Sequence, residues 1–199
     1  MNKITLKGIL RNIKPSHSIK TIDYDQADII TSRSNGKEDI IPIKFKRYSN
    51  KYSENTLVDL TGNLRSYSRH LDNGRNKVNL YVFTYFDLPE DDVNNQFIID
   101  GRICKIDPIR TTKDGKQNIH LILANNLIVE ETGQKLNSYL PCIAWGRVAR
   151  ELNKLSVNDK ILIKGELHSR EYKKMITDTE FEFRVAYECA IQSFEVIEE

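Results

Sequence analysis

The chain has 199 residues, 39% of them hydrophobic, with 30 Lys and Arg against 28 Asp and Glu. That length fits one large domain or two small ones with packed cores, and a formal net charge of +2 is too small to define a polyanionic partner by itself. No run approaches a membrane span and no signal-peptide block opens the chain, so no membrane association and a cytoplasmic location are expected.

In chain order, alternating apolar residues place strands near 3–13, 22–33, 39–47, 56–69 and 77–87. Asn73-Gly74, within 71–75, carries the turn signal of a hairpin between the last two. The acidic, polar, proline-bearing stretch 89–95 reads as a linker between units 1–88 and 96–199. Further strands follow near 96–106, 117–129, 137–145, 160–172 and 179–197. A helix near 146–155 has Val148, Leu152 and Leu155 at i, i+4 and i+7, one packed side. The corresponding stretch 48–55 of the first unit lacks that stripe, so its helix is expected to be degenerate.

An internal repeat links the halves. Leu6-Lys7-Gly8-Ile9 resembles Ile99-Asp100-Gly101-Arg102, Ile41-Pro42-Ile43 resembles Leu140-Pro141-Cys142, and Leu60-Thr61-Gly62-Asn63-Leu64 resembles Ile163-Lys164-Gly165-Glu166-Leu167. The landmark pairs Gly8/Gly101, Pro42/Pro141 and Gly62/Gly165 keep their order at offsets of 93, 99 and 103, as expected where the second unit has longer loops. Five strands in each half, with a helix after the third in the second, is the order of an OB-fold, a five-stranded Greek-key barrel. The expected fold class is all-β, two OB-folds in tandem.

Period-two parity then sorts side chains by face. Tyr139, Pro141, Ile143 and Trp145 share one face of their strand, with Leu140, Cys142 and Ala144 opposite. On the next strand Ile161, Ile163, Gly165 and Leu167 point inward, leaving Arg170 and Tyr172 outside. In the first unit Ile41, Ile43 and Phe45 are core, with Lys44 and Lys46 outside. Likewise Val58, Leu60, Gly62 and Leu64 point in while Arg65, Tyr67 and Arg69 point out. Exposed aromatics beside guanidiniums suit unstacked bases on a phosphate backbone.

The segment from Tyr139 to Tyr172 resembles the bacterial single-stranded DNA-binding protein family, whose domain is an OB-fold. Tyr139 stands where that family has a Trp, Trp145 where it has a Phe, and Gly146-Arg147 where it has Gly-Lys. Gly165, Leu167, Arg170 and Tyr172 fall in register with its next strand, and Gly101 with Asp107-Pro108-Ile109-Arg110 resembles its opening motif. Pro141 departs from the pattern, replacing an arginine and removing a ladder N–H. The resemblance implies sequence-independent binding of single-stranded DNA in replication, recombination or repair. Stacking falls to Tyr139, Trp145, Tyr172 and Tyr67. Phosphate contacts fall to Arg110, Arg147, Arg170, Lys44, Lys46, Arg47, Arg65 and Arg69. It also implies a homodimer presenting four barrels. The chain closes on Phe194-Glu195-Val196-Ile197-Glu198-Glu199 without the family's acidic Pro-Phe tail, so tail-mediated recruitment is not expected and a phage or mobile-element origin is.

The halves differ: residues 1–93 carry a net charge of +3 and the rest −1. The first barrel therefore reads as an electrostatic track and the second as a stacking platform. Two other readings stay open, a protein-interaction or replisome-assembly module with weak DNA binding, favoured by Pro42 and Pro141, and an RNA-binding OB protein. No catalysis, cofactor, metal or small-molecule substrate is expected. His17, His70, His120 and His168 are scattered without metal spacing, and no phosphate loop or nucleophile motif occurs. Asp23, Asp25 and Asp28 read as an exposed strand edge or loop. Cys104, Cys142 and Cys189 read as small buried hydrophobes in a reducing compartment, not as disulfides or a metal site.

Overall fold

A computed structural model describes residues 1–47, 52–70, 76–84, 94–128, 133–177 and 180–198. Apolar alternation produces β1 (Asn2–Ile19), β2 (Ile22–Ser32), β3 (Glu38–Lys46), β4 (Leu57–His70) and β5 (Asn76–Thr84). β1 pairs with β2 and β4, β2 with β3, β4 with β5, and β3 with β5 in parallel, so the five strands close on themselves. The second unit repeats this with β6 (Gln96–Ile106), β8 (Gln117–Ile128), β9 (Lys135–Trp145), β10 (Lys160–Met175) and β11 (Phe181–Val196), closed by the parallel pair β9–β11. A two-residue strand β7 (Arg110–Thr111), absent from the strands expected from sequence, pairs on the edge of β8. These are two OB-fold barrels. The expected hairpin turn at 71–75 lies outside the described residues, as do 48–51 and most of the expected linker.

Each barrel buries the face that parity assigned. Ile41, Ile43 and Phe45 line one core, and Leu140, Cys142, Ala144, Ile161, Ile163 and Leu167 the other. The repeated glycines mark closures. A Cβ on Gly62 would stand 2.3 Å from the Phe83 carbonyl oxygen, and one on Gly165 would stand 1.9 Å from that of Ala190. Each repeated proline sits one residue before its strand's parallel pairing begins, at Ile43 and Cys142, where no ladder N–H is asked for on that side. Helix α1 (Gly146–Leu152) is shorter than expected. After Leu152 the chain tightens into turns, Lys154 N–H bonding Glu151 O and Leu155 N–H bonding Leu152 O. Leu155 still packs on the core, which explains the longer apolar stripe.

The barrels are joined around a local two-fold. β1 and β6 pair antiparallel with Ile4 opposite Phe97, positions equivalent at the offset of 93. Buried Asn2 closes two hydrogen bonds on Leu64, accepting from its N–H (2.8 Å) and donating to its C=O (2.8 Å). Buried Asn95 does the same to Leu167, at 3.0 and 2.9 Å. The end of the expected linker is thus part of the second barrel's structure. On the seam, Ser66 N–H donates to Ser138 Oγ (3.3 Å) while Tyr139 N–H donates to Ser66 Oγ (2.7 Å). The equivalent contact has Ser169 N–H donating to Asp39 Oδ1 (2.5 Å) and Ile40 N–H to Ser169 Oγ (3.0 Å). The symmetry breaks at one residue: Asp39, where the other site has Ser138, also takes a bidentate bond from Arg33 (2.5 and 2.6 Å).

Candidate nucleic-acid interface

On the second barrel, β9 presents Tyr139 and Trp145 at 45% and 46% exposure, six residues apart on one face, a span of about 20 Å at strand rise. Ile143, between them, is buried although it shares their parity. Trp145 is the extended residue immediately before α1, and Gly146 turns the chain at φ +57°. Its hollow is shared with Lys116, Gln117 and Arg150. Arg150 donates to Gln117 Oε1 at 3.1 Å. Sequence reasoning missed Lys116 and Arg150, since neither shares a strand with Trp145. Arg147 is exposed and reaches Glu151 at 3.6 Å along the helix. Arg110 is exposed on β7 with Asp107 3.8 Å away. The Lys105 ammonium, hydrogen-bonded to the Asp107 carboxyl at 2.8 Å, holds that acid below its ordinary value, aided by Arg110. Arg170 is exposed on β10, and Tyr172 lies half-buried beside Pro141, Val185 and Tyr187.

On the first barrel the expected cations separate. Lys44 is half-buried between two rings, its Nζ 4.8 Å from the centroid of Tyr81 and 5.6 Å from that of Tyr67, and burial lowers its pKa. Tyr67 is exposed, Lys46 is half-buried, and for Arg69 only the backbone lies within the described residues. Two expectations are corrected, for Cys104, which is exposed and not buried, and for Arg65. Arg65 does not face solvent: it is 6% exposed, its guanidinium 4.0 Å over Phe83. The outer face there carries a second buried layer, Phe83 against Tyr24, with Tyr24 stacked on His17 at 4.8 Å. Arg47 is exposed but clasped, bonding Asp25 at 2.6–3.1 Å and Asp23 at 3.4 Å. Those two aspartates therefore neutralise an arginine, and Asp28 accepts from Asn12 at 2.8 Å. Among the described residues no cluster of His, Cys, Asp or Glu could hold a metal ion. No helix among them is long and apolar enough to cross a membrane.

Two closed OB barrels, one with exposed aromatics on a strand face, define an oligonucleotide-binding class of fold. The model of the single-strand binding protein family matches residues 94–194, and the chain belongs to that family. Among solved structures, the wild-type single-stranded DNA binding protein from Thermus aquaticus is similar at a TM-score of 0.73 and 18% identity, covering 100% of this chain and 94% of that one. A deletion mutant of the same Thermus protein is similar at 0.70 and 19% identity, covering 100% and 95%. These likenesses extend the fold to the first barrel, beyond the matched segment. No curated protein sequence matches the chain.

Proposed function

We propose that the chain binds single-stranded DNA without sequence preference, as a non-enzymatic protector of exposed strands in replication, recombination or repair. The carrying observation is the pair Tyr139 and Trp145, half-exposed on one strand face of a closed barrel, with Arg110, Arg147 and Arg170 exposed on neighbouring elements. Aromatic rings left in solvent cost apolar exposure that base stacking recovers, at about 1–3 kcal/mol per base. Tyr172 and Tyr67 extend the stacking surface, and Lys44 and Lys46 supply the phosphate contacts of the first barrel. Units 1–88 and 96–199, joined by 89–95, act as two binding modules of one chain, and two chains pair to offer four barrels. Membership of the family, through a match over residues 94–194, supports the single-stranded DNA reading.

Trp145, the single tryptophan, reports the binding. Oligo-dT should quench its emission stoichiometrically, and duplex DNA should quench it less. Absence of both a quench and a mobility shift at low salt would put the protein-interaction module first. Equal affinity for oligo-U and oligo-dT would reopen the RNA reading. Light scattering at the mass of one chain would remove the four-barrel assembly.

A further inference from the structure

The second barrel closes on a short parallel seam. β9 and β11 meet there through the pairs Cys142–Cys189, Ile143–Ala190 and Ala144–Ile191, directly after Pro141. The first barrel closes in the same register, where Ile43 lies opposite Val82. At the offset of 99 that relates the two prolines, Cys142 is the counterpart of Ile43, so Cys189 takes the place of Val82. One closure therefore carries an aliphatic pair, 0% and 1% exposed, and the other a pair of thiols, 2% and 0% exposed. Packing alone accepts any small apolar pair at such a position. Two sulfurs side by side add a chemistry that Ile43 and Val82 lack.

Both cysteines point into the barrel from directly opposite positions. Neighbouring strands run about 4.8 Å apart, and disulfides bridge Cα separations of about 4.4–6.8 Å. The backbone thus already stands where a cross-link needs it, and both thiols are free. The Cys142 S–H donates to Leu140 O at 3.3 Å. Burial pushes the Cys142 thiol up, and the Cys189 sulfhydryl beside it adds to that. The thiolate, which is the nucleophile, is therefore scarce while the barrel is closed. Reaction waits on a brief opening of the seam, and an interior this tightly packed admits only a small uncharged oxidant. Cys104 stands apart from the pair, exposed on β6 at the register shift between Ile103 and Lys105.

We propose that Cys142 and Cys189 are a redox pair whose reagent is hydrogen peroxide, and that their disulfide staples β9 to β11. One thiolate attacks a peroxide oxygen, the O–O bond breaks, and the leaving hydroxide takes up that thiol's proton as water. The second thiol then attacks the sulfenic sulfur, S–S replaces S–OH, and a second water departs. Each sulfur gives up one electron, and the two peroxide oxygens leave as two waters. The ring closed by the new bond spans α1 and β10, the elements that carry Arg147, Arg170 and Tyr172. Ile43 and Val82 deny the first barrel the same response.

The test uses the full chain with Cys104→Ser, which removes the exposed thiol and its links between chains. After peroxide treatment the chain is unfolded, blocked with N-ethylmaleimide and weighed by mass spectrometry without reductant. A loss of two hydrogens, no maleimide adduct, and a peptide pair joining Cys142 to Cys189 are expected. The melting temperature should rise by about 4–16 °C and fall back on reduction with dithiothreitol. Adding Cys189→Ala should abolish the rise. Two maleimide adducts after peroxide, sulfinic acid on either cysteine, or a link that forms only in urea would overturn the pair, whether or not the Cys189→Ala chain folds. A link that leaves the melt unchanged would overturn the staple.

Discussion

Replacing Asp39 by Ala should loosen the seam that sets the two barrels against each other. The Asp39 carboxylate is 0% exposed, takes two bonds from Arg33 at 2.5 and 2.6 Å, and accepts the Ser169 N–H at 2.5 Å. Removing one partner of a buried pair costs about 3–5 kcal/mol, because the other charge is left uncompensated. Arg33 keeps 19% exposure and a second bond to Ser169 O at 2.9 Å, so part of that penalty is relieved and about 2–4 kcal/mol is expected. At about 2–4 °C per kcal/mol for a chain of this size, melting should fall by about 4–16 °C. Asp39→Ser should lose less, since Ser138 accepts the equivalent Ser66 N–H at 3.3 Å without a charge. Adding Arg33→Gln to Asp39→Ser should recover stability, as no unpaired guanidinium remains. Circular-dichroism melts of the three variants decide the matter. An Asp39→Ala chain melting within about 2 °C of the parent would refute the claim that this ion pair holds the seam.

Trp145→Ala should reduce oligo-dT affinity about 5- to 100-fold at high salt, where Lys44→Ala should matter little. Titrations at two salt concentrations check the order, and the reverse order would remove the second barrel as the stacking platform. Gly165→Ala places a methyl 1.9 Å from the Ala190 carbonyl oxygen, forcing β10 and β11 apart at a cost of about 1–3 kcal/mol or more, visible as a lowered urea midpoint. The depressed Asp107 carboxyl adds stability above the ordinary carboxylate range, near pH 4, and that contribution disappears as pH falls through its folded value. Asp107→Asn should therefore lower stability slightly at pH 7, match the parent below the folded value, and flatten the acid limb of a stability profile.

Inner faces were legible because the pleat fixes a period of two and the barrel interior tolerates only apolar groups. Ile41, Ile43 and Phe45 needed no knowledge of their partners to be placed. Outer faces were legible only where nothing else docks. Trp145 and Tyr139 came out as expected, whereas Arg65 shares their outward parity and is roofed by Phe83, which reaches it from β5 through a pairing no local pattern encodes. Arg47 was lost to Asp23 and Asp25 for the same reason, a contact between strands 22 residues apart. The asparagine clamps lay closer to reach. Asn2 and Asn95 stand at the same offset of 93 as Gly8 and Gly101, and extending the repeat by six residues would have paired them.

The corrected placement of the cations changes what salt should do. Eight Lys and Arg were candidates for phosphate contact, and at about 0.7 per phosphate on a single strand they would give a slope of about −6 in log K against log salt. Arg65 is buried and Arg47 is already paired with two carboxylates. Six remain, which brings the expected slope to about −4. Arg47→Ala should leave that slope unchanged, because releasing Asp23 and Asp25 exposes no cation that the strand had used. Lys44→Ala should reduce it by about one contact. Fluorescence titrations across a range of salt measure all three chains. A parent slope near −6, flattened by Arg47→Ala, would mean that the strand breaks the Asp25 clasp on binding, and the first barrel would then be the basic track that the net charge of +3 over residues 1–93 indicated.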